Sequence, residues 1–204
     1  MAQFRTSRRF DIAFLISLGL FLLGAVFYRT QIGDWVFFQT HSASVETVAV
    51  ASAAGLNAKG LHLLERTNPQ FATIAVVNAN CDVERLGCLN SHDQAYILDD
   101  PAQHDQTVVT TAHEMLHLAY QRLSNSQKSD LAPLLDQAIA ENTNNGLGDE
   151  LSGEKTAADR RDEAHSLLGT EYKNLPAALE QYYNTYFTDR TKVLDAYTRS
   201  QQAN

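Results

Sequence analysis

The sequence predicts an α+β fold: a mainly helical domain with a small antiparallel sheet, preceded by one transmembrane helix. Three observations carry this. Ile12 to Tyr28 is an uncharged apolar run, Phe71 to Val77 and Gln94 to Leu98 are short segments of strand character, and most of the chain after Ser44 repeats apolar residues at helical spacing.

The apolar run comes first. At about 1.5 Å per residue, Ile12 to Tyr28, with Phe10 and Asp11 at its edge, nearly crosses a hydrocarbon core of about 30 Å. Arg5, Arg8 and Arg9 precede it and only Arg29 follows closely, so the positive-inside bias places the N-terminus in the cytoplasm. The expected organisation is a cytoplasmic segment over 1–9, a signal anchor over 10–28, a juxtamembrane linker over 29–43 and an extracytoplasmic domain over 44–204, held at the cell membrane by a single pass. A cleaved signal peptide competes with this, but Gly24-Ala25-Val26-Phe27-Tyr28 offers no A-x-A site. Trp35, Phe37 and Phe38 either sit at the outer membrane interface or begin the domain core.

The remaining length, about 170 residues, suffices for one domain with a core of its own. The first thirty residues hold four arginines against Asp11, so they carry +3 of a chain total of −8, and the exterior carries −11. Nucleic-acid binding leans on basic patches and is excluded as a partner class. Cys81 and Cys88 enclose six residues, and outside the cytoplasm they most simply form one disulfide; a reduced thiol pair is the alternative.

Within the domain, Ser44 to Glu65 is helix-like though broken by Gly55 and Gly60, and Asn68-Pro69 ends it. Phe71 to Val77 and Gln94 to Leu98 then form a hairpin around the cysteine loop, and Asp99-Asp100-Pro101 turns into the next helix. No Pro or Gly interrupts Val108 to Leu123. Gln127 to Asn142 is a further amphipathic helix, Asn142 to Lys155 a polar loop, and Thr156 to Leu168 a helix that Gly169 stops. Ala177 to Phe187 and Thr188 to Gln201 close the chain as two helices or one bent one, with Tyr182, Tyr183, Tyr186 and Phe187 in the core.

The motif that carries chemistry is His113-Glu114-Met115-Leu116-His117, an H-E-x-x-H inside an uninterrupted helix. Residues four apart on a helix lie about 40° apart, so both imidazoles can converge on one ion. Zinc accepts neutral imidazole nitrogen, and a catalytic site needs three protein ligands with a fourth position open. Glu114 would stand beside that position as general base. His41, His62, His92 and His104 have no motif around them, although His92 or His104 as a fourth donor would make the site structural.

A third ligand does not follow the motif directly, because Leu118 to Leu123 contains neither His nor Gly. The best source is the helix with Asp162-Glu163-Ala164-His165. Glu163 and His165 are both competent donors about 200° apart, both flank the apolar face of Ala164, Leu167 and Leu168, and periodicity does not decide between them.

A helical H-E-x-x-H followed tens of residues later by a helix-borne glutamate resembles the gluzincin branch of zinc metallopeptidases. The stretches LGCLN, TTAHEMLHLAYQRL and DEAHSLLGTEY also look like a group of membrane-anchored zincin-like proteins. The resemblance implies a zincin-like domain, Zn²⁺ as cofactor, Glu163 as third ligand with His165 as the alternative, and hydrolysis of peptide bonds in extracytoplasmic or membrane proteins. The E-x-x-x-D and N-E-x-x-x-E forms of the ligand helix are both absent, Leu167 standing four residues after Glu163. In the expected mechanism Glu114 takes a proton from water and passes it to the leaving amine, while an extended peptide pairs with an edge strand at Tyr96, Ile97 and Leu98. Two other readings differ in kind: a non-catalytic zincin-like module that binds or scaffolds envelope proteins, and a hydrolase of cell-wall amides with a polar open groove.

Overall fold

The computed structural model describes residues 14–21, 24, 28–81 and 86–203. The chain divides into two compact units, Met1–Ser42 and Ala43–Asn204. In the first, residues 14–21 are helical and a second helix, α1, spans Arg29–Phe38 with Ile32, Trp35 and Val36 exposed.

The expected transmembrane helix is not found among the described residues: none of their helices is long and apolar enough to cross a membrane. A span needs about 20 consecutive apolar helical residues; the described helix in the apolar run covers 14–21, and α1 contains Arg29 and Asp34. The rest of the expected anchor, and the cytoplasmic segment before it, falls on 1–13, 22–23 and 25–27, outside the described residues.

The second unit is helix-rich α+β. Two helices, α2 (Val45–Ala53) and α3 (Ala58–Arg66), open it, capped by the side chains of Ser44 and Asn57. Strand β1 (Gln70–Ala72) follows, then α4 (Ile74–Asn80), β2 (Gly87–Leu89) and β3 (Ala95–Leu98). The expected strand Phe71 to Val77 is therefore only its first two residues; the chain turns helical after Thr73, since a short apolar run satisfies either period. The sheet order is β1-β3-β2, with β1 parallel and β2 antiparallel to β3. It is mixed, not antiparallel, and the hairpin is β2–β3, turned by Asn90, whose side chain accepts from the backbone N–H of His92 and Gln94. Cys81 and Cys88 form a disulfide that ties the end of α4 to β2.

Helix α5 (His104–Gln121) is the central element. It packs against α2, α3, β2, β3, α8 (Ala157–Thr170) and α10 (Thr191–Ala203). Apolar residues cover about half of its circumference: Val108, Val109, Ala112, Met115, Leu116, Leu118 and Ala119 are buried, each large one contributing about 1.5–3 kcal/mol. Helix α6 (Asn125–Asn142) starts in a capping box of Ser124 and Gln127 and packs against α8. The expected loop over 142–155 is structured instead, with a short helix α7 (Leu147–Glu150) between two 3₁₀ turns, because Leu147 and Leu151 are fully buried.

Helix α8 runs one residue past Gly169 and ends at Thr170. A Cβ at 169 would lie 2.4 Å from Leu116 Cδ1 and 2.9 Å from Tyr183 Cε1, so this glycine lets α8 approach α5 and α9 (Ala177–Tyr183) closely. Beyond it the buried Arg190 guanidinium donates to the carbonyls of Leu168 and Tyr172, closing the helix end with a cation.

Candidate metal centre

His113 and His117 stand one turn apart on α5 and are the two residues between Thr107 and Tyr120 that are not buried, their side chains about 14% exposed. The facing helix, α8, begins at Thr156, whose hydroxyl accepts from Asp159 N–H, and this start sets Asp162 and Glu163 against the two rings. His113 Nε2 lies 3.1 Å from His117 Nε2, Glu163 Oε1 3.5 Å from His113 Nε2, and Glu163 Oε2 3.4 Å from His117 Nε2. Donors placed tetrahedrally about 2.0–2.1 Å from one ion are about 3.3 Å apart. His113, His117 and Glu163 could therefore hold a metal ion, and among the described residues no fourth His, Cys, Asp or Glu joins them. His92 lies in the β2–β3 turn and His104 at the start of α5, away from the group.

The second ring nitrogen of His117 donates to Asp162 Oδ1 at 2.8 Å, which leaves Nε2 turned toward the other two donors. Burial alone would pull the His117 pKa down, but hydrogen bonds to Asp162 and Glu163 and the charge of Glu114 outweigh it and hold it up at about 10. Glu163 is the mirror case. Burial pushes its carboxyl up, the hydrogen bonds to His113 and His117 pull harder, and it stays far below the usual carboxylate range.

Glu114 is 5% exposed and lines both cavities that flank the group. One, of about 280 Å³, lies on the His117 side with Cys88, Leu89, Gln121 and Asp159. The other, of about 330 Å³, lies on the His113 side with Leu86, Gly87, Thr110 and Glu171. Burial lifts the Glu171 carboxyl to about 7. Strand β2 thus runs past the whole group.

His165 is absent from the group. It is fully buried, its Nε2 2.9 Å from the Tyr182 hydroxyl, with the rings of Tyr120, Tyr182 and Tyr183 around it. Burial holds it neutral, its pKa pushed down to about 3. Tyr96, Ile97 and Leu98 are not the expected edge strand: they lie in the central strand, paired with β1 on one side and β2 on the other, so they have no free edge. Among the described residues, the free edge beside the group is β2. Reasoning from sequence missed this and missed Asp162, for which a signal existed, since a ligating histidine usually hands its second N–H to a carboxylate and Asp162 adjoins Glu163.

Fold and site together define a helix-rich α+β domain in which two histidines from one helix and a carboxylate from another converge as a group able to hold a metal ion. Compared with family models, curated proteins and solved structures, the chain matches none.

Proposed function

We propose that the domain is a zinc-dependent, gluzincin-like metallopeptidase. The observation that carries this reading is the mutual spacing of 3.1–3.5 Å among the three donors, the separation expected around one tetrahedral zinc, with no fourth side-chain donor among the described residues. Zinc, when bound, would supply a Lewis acid that makes water acidic near neutral pH and polarises a carbonyl. Glu114, on the same helix and lining both cavities, would accept the proton and hand it to the leaving amine. Asp162 orients His117 for the ion. An extended peptide would lie along β2, the edge strand next to the group, in antiparallel pairing. The Cys81–Cys88 disulfide favours an oxidising compartment as its place of action.

The test is zinc content by mass spectrometry on the purified chain, followed by a quenched-peptide assay of the parent and Glu114→Gln. The reading expects about one zinc per chain and a loss of activity of at least about 10²-fold in the variant. Zinc-loaded parent protein without peptidase activity would leave a metal-stabilised binding module, and unchanged activity in Glu114→Gln would remove the general base.

A further inference from the structure

Glycine is a poor strand residue, and inside a strand it often marks a place where another backbone or a ligand comes close. Gly87 opens β2, and its φ lies outside the left-handed region, so its conformation does not call for glycine. Space does. A Cβ at 87 would lie 2.5 Å from the Thr110 methyl on α5, 2.9 Å from the Tyr96 carbonyl oxygen and 3.6 Å from Glu114 Oε1. The strand therefore rests against the motif helix at a distance that any side chain would increase.

The pairing pattern shows what that closeness serves. Leu98 N–H donates to the Leu86 carbonyl at 2.7 Å and Asn90 N–H to the Gln94 carbonyl at 2.9 Å, so 86, 88 and 90 turn their peptide groups toward β3. By the alternation of an antiparallel ladder, Gly87 and Leu89 turn theirs away from it. Gly87 lines the cavity on the His113 side and Leu89 the one on the His117 side. The outward peptide groups thus bracket Glu114 and the metal-holding group.

We infer that Gly87 is a positioning residue: by letting β2 rest on Thr110 it sets the height at which an extended peptide, paired to Gly87 and Leu89, meets Glu114 and the metal. This rests on the metallopeptidase reading. Gly87→Ala would push β2 away from α5 and displace the bound peptide from the reacting groups, which are carried by α5 and α8 and stay in place. A displacement of about 1 Å is enough to cost on the order of 10²-fold in rate.

The experiment uses the zinc-loaded full chain and two readouts: kcat and KM on a quenched peptide, and affinity for an uncleavable extended peptide by fluorescence anisotropy. Gly87→Ala is expected to keep its zinc, to bind the uncleavable peptide at least about tenfold more weakly, and to lose about 10–100-fold in kcat/KM. Adding Thr110→Ser, which removes the methyl that the new Cβ meets, is expected to restore part of both. A zinc-loaded parent that cleaves no peptide would overturn the metallopeptidase reading itself. A folded, zinc-loaded Gly87→Ala with parental kinetics and peptide affinity would overturn the positioning role alone. Should Gly87→Ala fail to fold, peptides N-methylated at single positions decide on the parent: loss of cleavage at alternate positions supports the strand pairing that Gly87 sets, and equal cleavage of all of them overturns it.

Discussion

Glu163 and His165 sit two residues apart on α8 and could both serve as zinc donors, yet they occupy opposite environments. Glu163 faces the two α5 histidines across a half-open cleft; His165 lies about 200° round the helix, sealed among tyrosines and hydrogen-bonded to Tyr182. The chemistry of the side chains does not separate them. What does is the way α8 is clamped: Gly169 admits Leu116 and Tyr183 on one side, and the Tyr183 hydroxyl donates to the His165 carbonyl at 2.7 Å. A ligand is defined by the rotation of its helix, and that rotation is fixed by packing several residues away.

The largest effect that could break this comparison is on metal content. On the proposed zinc reading, Glu163→Ala leaves two donors where a zinc site needs three, and its zinc is expected to fall well below one per chain after gel filtration, while His165→Ala keeps its zinc. Mass spectrometry on both reads this directly, and the reverse pattern would exchange the two roles.

Stability should separate the pair in the opposite sense. His165→Ala empties a fully buried site between tyrosines and is expected to cost about 2–4 kcal/mol in urea unfolding of the metal-free protein. Burial also gives His165 a pH signature. Its folded pKa, about 3, is below its value in the unfolded chain, so between about 6.5 and 3 the unfolded state binds a proton that the folded state does not. Stability therefore falls with acid, by about 1.4 kcal/mol per pH unit from this group, and the parent should lose more than His165→Ala between pH 6 and 4. Parallel curves would show that His165 does not stay neutral.

Asp162 tests how far the metal face depends on orientation. Asp162→Asn is expected to weaken zinc about 10–100-fold without removing it. In the metal-free protein His117 is held protonated, its pKa near 10, so zinc uptake at pH 7 should release about one proton, and affinity should rise with pH up to that range. Calorimetry in buffers of different ionisation enthalpy counts that proton, and none released would contradict the carboxylate cluster around the ring.

Much of this helix pair was legible from sequence. The H-E-x-x-H spacing, the helix around it and the acidic residues on the later helix are local patterns, read from period and caps. The sheet was not, because its order depends on contacts distant in sequence: β1 inserts a parallel neighbour beside β3 and leaves β2, three residues long, as the free edge. Phe71 to Val77 misled because a seven-residue run, apolar except for Thr73, satisfies both a strand and a short helix. Gly169 misled because a glycine that ends a helix and one that admits a neighbouring helix look alike until the neighbour is known.

The smallest effect separates the two faces most finely. Tyr182→Phe removes only the hydroxyl beside His165 Nε2, keeping the ring that fills the pocket. Losing one partner of a buried hydrogen bond costs about 1–3 kcal/mol, and half-buried Tyr182, whose hydroxyl also lies 3.3 Å from that of Tyr186, places the expected value near the lower end. Zinc affinity should not move, because no ligand is touched. If Tyr182→Phe weakened zinc by more than it lowered stability, the tyrosine cluster would be acting on the metal through α8, and the two faces of that helix would be one coupled site.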